Sequence, residues 1–139
     1  MILKGGRQVA SLDLKGDRDV VRARRIVAKL MTEKGAPALM QTRFVTAVSE
    51  IARNAVTHGR GGEMRLFELP DGKHIGVEFK DAGPGIGAIE QALEDGFSTV
   101  GSMGKGLGGA KRLSAAFEIE SSAEEGTVVR MTGSTARSR

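Results

Sequence analysis

The chain has no cysteine, no tryptophan and no tyrosine in its 139 residues. Without cysteine there are no disulfides and no thiolate metal sites. With no signal-like N-terminus and no long apolar run, the expectation is a soluble, cytoplasmic protein. Five phenylalanines are the whole aromatic complement, too few for a base-stacking platform, and the two histidines lack the cysteine partners of a zinc site. Charge of one sign is also scarce. Lys and Arg number 21 against 17 Asp and Glu, a formal charge of +4; Arg137 and Arg139 lie in the terminal stretch, so the rest carries 19 against 17, or +2. That balance disfavours nucleic acid as a partner. Glycine is plentiful instead, at 20 residues, about twice the ordinary ~7 % share. The length fits one domain, read as 1–132, followed by a flexible basic tail over 133–139.

Hydrophobic spacing supplies the elements. Ala10, Leu12 and Leu14 alternate with Val9, Ser11 and Asp13, as in an edge strand. Val20, Ala23, Val27, Leu30 and Met31 have the spacing of an amphipathic helix over Asp17 to Lys34, with Arg18, Arg22, Arg25 and Lys29 on a solvated face. Gly35 ends it and Pro37 opens a second helix to about His58, burying Phe44, Val45, Val48, Ile51, Ala52 and Ala55. His58 and Gly59 read as its C-terminal cap. Two apolar runs, Met64 to Leu69 and His74 to Phe79, flank the turn Pro70-Asp71-Gly72-Lys73 and predict an antiparallel hairpin. A short helix over Ile89 to Asp95, a glycine-rich lid over Gly96 to Gly106 and a helix from about Leu107 to Ala115 follow. Phe117 to Ser122 and Thr127 to Met131 form a second hairpin. Strands in hairpins with helices between them predict an α+β two-layer sandwich, its sheet mixed but mostly antiparallel and its helices on one face.

Three polar and glycine-rich clusters stand out in that frame. Ser49-Glu50-Ile51-Ala52-Arg53-Asn54 sets Glu50 and Asn54 four residues apart, about 40° apart around a helix and one turn along it. Asp81-Ala82-Gly83-Pro84-Gly85-Ile86-Gly87 leaves the end of a strand. Gly101-Ser102-Met103-Gly104-Lys105-Gly106-Leu107-Gly108-Gly109 runs into a helix. Each alone is weak: Gly104 to Gly109 matches G-x-G-x-x-G, but no strand leads into it as a dinucleotide fold requires. Lys105 is followed by Gly106, so there is no Walker loop, and the strand lysine and His-Arg-Asp loop of eukaryote-type protein kinases are missing.

The order of the clusters is more specific than any one of them. A helix with E-x-x-x-N, a hairpin, D-x-G-x-G at a strand end, G-x-G-L opening a helix and Gly126-Thr127 at a strand start resembles the GHKL or Bergerat-fold ATPases. Within these the chain is similar to the small bacterial switch serine/threonine kinases of the stressosome, the RsbT type, related to the anti-sigma-factor kinases. Ser49 to Asn54, Glu94-Asp95-Gly96-Phe97-Ser98-Thr99, Lys111-Arg112-Leu113 and Ala123-Glu124-Glu125-Gly126-Thr127 carry the likeness. Val100, Ser102, Met103 and Lys105 depart from the switch-kinase lid, and Val56-Thr57-His58-Gly59 looks like the anti-sigma branch.

Residue chemistry then suggests roles. Asn54 offers one hard oxygen to a Mg²⁺ ion that takes its other ligands from phosphates and water. Asp81, acceptor-only when ionised, takes the exocyclic N–H of adenine and selects ATP over GTP. Gly83 and Gly85 permit close backbone approach to the base. Gly104 and Gly106 expose N–H groups to phosphates at the start of the helix from Leu107, with Lys105 as a point charge. Glu50 is the expected general base toward an incoming serine or threonine hydroxyl, with activation of water as its alternative. The resemblance adds Thr127 beside the adenine, and Ile86 and Leu107 in the nucleotide site. It implies a STAS-type antagonist domain as phosphoacceptor, with a PP2C-type phosphatase or a sigma factor as further partners. Two other readings remain at this stage: a nucleotide-gated sequestering protein with little transfer, and a basic nucleic-acid binder.

Overall fold

Period-two and period-3.6 patterns both appear as read in the computed structural model, which describes residues 2–57, 61–81, 102–122 and 126–136. Strand β1, Arg7–Leu14, buries Leu12 and Leu14 and exposes Ser11 and Asp13. It lies at a sheet edge. Its register with the next strand slips between Gln8 and Ala10, a bulge of the kind that makes an edge a poorer template for a foreign strand.

Helix α1, Asp17–Glu33, buries Val20, Ala23, Val27, Leu30 and Met31, the five positions its spacing named. Its start is held by Asp19, whose Oδ2 accepts the N–H groups of Lys15 (2.8 Å) and Gly16 (3.3 Å). At the other end Gly35 adopts φ +78°, a backbone conformation that side chains with a Cβ resist. Helix α2, Ala38–Thr57, is the central one, packed on both α1 and the later helix and touching four strands. His58 and Gly59 lie outside the described residues. The return that follows has Gly61 at φ +94°, with its N–H on the Ala55 carbonyl (2.8 Å).

Strands β2, Gly62–Glu68, and β3, His74–Asp81, pair antiparallel across the expected turn, where Asp71 Oδ1 accepts the N–H groups of Lys73 and His74. Strands β4, Ala116–Ser122, and β5, Gly126–Ser134, form the second hairpin. The sheet order is β1-β2-β3-β5-β4, and every pairing is antiparallel. Its inner face, with Leu14, Met64, Leu66, Ile75, Val77 and Met131 fully buried, meets the helices. On the outer face Leu3 is buried against Gly76, where a Cβ would overlap it, and Arg130 lies between Glu78 (2.9 Å) and Glu118 (3.5 Å).

Helix α3 and strand β5 depart furthest from the sequence reading. Helix α3 spans Ser102–Leu113, starting five residues before Leu107. Leu107 and Ala110 are buried at helical spacing, and a glycine penalty of about 1 kcal/mol each is one that packing along α2 outweighs. The expected helix 89–95 and the lid up to Gly101 lie outside the described residues. Strand β5 also carries Gly133 and Ser134 into the sheet, and Thr135 is buried, its N–H on the Lys73 carbonyl (2.8 Å). The stretch read as tail therefore begins as sheet, because Gly133 lies under Phe44, where a Cβ would come within 2.5 Å of the ring.

Candidate functional site

Strands β3 and β5 set Asp81 directly opposite Thr127, at the strand ends and on the helix-facing side shared with Phe79 and Val129. Helix α2 crosses above with Ile51, Asn54 and Ala55, and α3 contributes Leu107. These eight residues line one cavity. Four of them, Asn54, Asp81, Leu107 and Thr127, are residues the sequence had singled out from four separate segments. The enclosed space is about 20 Å³, about one water's worth, so these residues build the base of a site.

Asn54 is the telling member. It is only 9 % exposed, not on the shoulder of the helix as its position in α2 alone suggests, because α3 packs over that side. Its Nδ2 is buried with no hydrogen-bond partner. An amide atom left so costs about 1–3 kcal/mol, and such atoms in native folds call for an explanation. Rotation of the carboxamide presents either N–H or oxygen at that spot, which suits a polar ligand or a metal held there. Among the described residues no three His, Asp or Glu side chains gather as a metal cage. The donor set fits a hard cation that takes most of its ligands from phosphate and water.

Glu50 is elsewhere. It is half-exposed and does not line the cavity; one turn before Asn54, its Oε1 accepts from Arg53 Nη1 at 2.9 Å. Gly83, Gly85 and Ile86 lie outside the described residues. Gly104, Lys105 and Gly106 fall inside α3, so the helix start moves from Leu107 to Ser102. Counted from there, the Gly104 N–H is in the free first turn and that of Gly106 is within the ladder.

Sequence reasoning missed Gly62. It faces Asp81 across the β2–β3 pair, and a Cβ there would overlap the Lys80 carbonyl and press on Asp81. It also passed over Ile51, Ala55, Phe79 and Val129 as site residues. Strand alternation from Asp81 and Thr127, and helical spacing from Asn54, are the signals that lead to them.

Asp71 and Asp19 are held below the usual carboxylate range, Asp71 chiefly by the Lys73 N–H and then by His74, and Asp19 chiefly by the Lys15 N–H. Asp71 lies in the turn at the opposite end of β3 from Asp81 and Asp19 at the start of α1, so neither lines the cavity and both belong to the scaffold.

Comparison with known proteins agrees with this geometry. Residues 16–133 match the family model described as a histidine kinase-like ATPase domain. The chain is similar to the serine/threonine-protein kinase RsbT of Bacillus subtilis (strain 168), 39 % identical over 113 residues that span 80 % of this chain and 85 % of that protein. It is also similar to the anti-sigma F factors of Thermoanaerobacter sp. (strain X514) and Thermoanaerobacter pseudethanolicus (strain ATCC 33223 / 39E). Each is 33 % identical over 93 residues, 63 % of this chain and 65 % of the relative. With the antiparallel sheet, the helix layer and the matched span from Gly16 to Gly133 taken together, the chain belongs to the histidine kinase-like, or GHKL, ATPase family.

Proposed function

We propose that this protein is an ATP-dependent serine/threonine protein kinase of a bacterial partner-switching pathway, acting in the cytoplasm on a STAS-type antagonist domain. The observation that carries the nucleotide part is the meeting of Asn54, Asp81, Leu107 and Thr127 around one cavity, with a buried Asn54 amide atom lacking a partner. The kinase part rests on the likeness to RsbT over most of both chains.

In this reading Asp81 accepts the adenine amino N–H, and Thr127, its cross-strand neighbour, adds a hydroxyl beside it. Phe79, Ile51 and Val129 give the base an apolar floor. Asn54 holds Mg²⁺ together with the phosphates, and the ion when bound supplies charge neutralisation on the triphosphate. The first turn of α3 directs free N–H groups and the positive end of its dipole at the phosphates.

Glu50 takes the proton of the attacking hydroxyl. A bond forms from that oxygen to the γ-phosphorus as the bond to the β–γ bridging oxygen breaks, and ADP leaves with the electron pair. Arg53 holds the Glu50 carboxylate, so a partner that reorients Arg53 also frees the base. The phosphorylated product carries a charge of about −1.5 to −2 beside Glu50 and loosens from the kinase. No helix among the described residues is long and apolar enough to cross a membrane.

Radiolabelled ATP with a purified STAS-domain partner tests the reading. Wild type is expected to label a serine or threonine, and Glu50→Gln to bind ATP and partner while transfer falls about 10²-fold or more. Tight partner binding that never leads to label would instead establish nucleotide-gated sequestration, the role suggested by the anti-sigma relatives.

A further inference from the structure

The far ends of α2 and α3 border a second groove, of about 230 Å³. Its lining is mixed: Met40, Phe44 and Leu113 are apolar, Ser114 and Ser134 are polar, and Arg43 from α2 and Arg112 from α3 add charge. Both arginines are exposed, and among the described residues neither has an ion-pair or hydrogen-bond partner for its side chain. Arg7, Arg22, Arg53, Arg65 and Arg130 each hold a carboxylate, and the other described arginines without one, Arg18, Arg24 and Arg25, lie along the exposed side of α1, where no groove adjoins them. Leu39, four residues before Arg43 and so on the same face, is 68 % exposed, the most exposed large hydrophobic side chain of the described residues.

The walls are fixed by the fold. The Ala115 N–H donates to the Thr132 carbonyl (2.8 Å), tying the end of α3 to β5, and Ser114 Oγ donates to the Ala110 carbonyl (2.7 Å) within that helix end. Gly133, lacking a Cβ, lets Phe44 lie flat on that strand.

We infer that this groove docks a segment of a partner protein that carries two carboxylates beside an aliphatic side chain. Two guanidinium groups without carboxylates of their own present forked donors to acidic groups, and arginine beside Met40 and Leu113 is the residue mix of an interface centre. The volume is below the ~300 Å³ at which cofactor pockets ordinarily begin, and the half-buried Met40 and Leu113 offer an aliphatic side chain a contact that a phosphate backbone has no group to use. The surface is separate from the nucleotide site: Phe44 precedes Asn54 by ten residues on α2, about 15 Å of helix. It stands whether or not ATP is the nucleotide. Helix α3 nonetheless joins the two places, with Leu107 lining one and Arg112 the other.

The test uses the full chain and a fluorescein-labelled peptide of about twelve residues alternating glutamate and leucine. Anisotropy should rise saturably, and the double variant Arg43→Glu/Arg112→Glu should weaken binding at least about tenfold with an unchanged melting temperature. The control Arg18→Glu/Arg25→Glu on the exposed face of α1 alters net charge equally and should leave binding within about twofold. Amide NMR shifts in wild type should map to Arg43, Arg112 and Gly133 and spare Asp81 and Thr127. Equal loss in both double variants, no binding up to about 1 mM peptide, shifts that map elsewhere, or an oligonucleotide that binds with the same arginine dependence while the peptide does not, would each overturn the proposal.

Discussion

Asn54 shows how one buried amide separates stability from function. Its Nδ2 has no partner, so Asn54→Ala removes an unsatisfied group along with a few packed atoms, and these effects oppose each other within about 1 kcal/mol. The variant should melt within a few degrees of wild type yet lose Mg²⁺-dependent ATP affinity at least tenfold, as read by calorimetry with and without the metal. An unfolded variant would make Asn54 a packing residue, and one that binds normally would remove it from the metal site. Gly62 acts by what it lacks. Adding a Cβ there forces β2 away from Lys80 and Asp81, so Gly62→Ala should cost about 1–3 kcal/mol, the usual range for overpacking. It should also weaken ATP binding because Asp81 moves. Unaltered ATP affinity in a folded Gly62→Ala would show that Asp81 tolerates displacement.

At the scale of elements, the acidic groups with lowered pKa values tie helix and strand ends together. Asp19 closes the start of α1, held down first by the Lys15 N–H and aided by Gly16 and Arg22. Glu68, at the end of β2, is held down first by Arg7 and then by Lys34, whose Nζ reaches it at 3.1 Å from the end of α1. Asp71 does the same for the β2–β3 turn, through the Lys73 N–H and His74. In each case the folded value lies below the ordinary one, 3.8 for Asp and 4.5 for Glu. The unfolded chain therefore binds protons first as pH falls. The stabilisation is complete above these ordinary values and is lost as pH drops through the lower folded ones. Denaturant titrations between about pH 6 and pH 2 should show stability falling below about pH 4.5. Asp19→Asn with Glu68→Gln should be less stable at neutral pH and less sensitive to acid. An unchanged acid slope in the double variant would place the titrating groups elsewhere.

For the molecule as a whole, a ligand that binds only the folded state stabilises it by mass action, about 2.7 kcal/mol at a concentration a hundred times its Kd. In a domain of this size that raises the melting temperature by roughly 10 °C. Mg-ATP should do so and Mg-GTP at the same concentration should not, because guanine presents a carbonyl oxygen to Asp81 where adenine presents a donor. Equal shifts for both nucleotides would remove Asp81 from base selection, and no shift with either would remove the site.

What the sequence by itself determined is whatever depends on near neighbours in the chain. The spacing of Val20, Ala23, Val27, Leu30 and Met31 named the buried face of α1 because helical geometry repeats every 3.6 residues. The Pro70 to Lys73 turn, and Gly126-Thr127 at the start of β5, were legible because turn chemistry is local. Asn54, Asp81, Leu107 and Thr127 were chosen as site residues from the order of their motifs, and that they share one cavity follows from the β3–β5 register and the crossing of α2. Only the tertiary structure decided that Asn54 is buried, that Glu50 holds Arg53 and stands off the cavity, and that Gly133 and Ser134 belong to the sheet. It also showed why residue 62 must lack a Cβ. Each of these depends on a surface supplied by a segment distant in sequence, or, for Glu50, on which way a side chain turns, and periodicity along one element carries no information about what covers its other side.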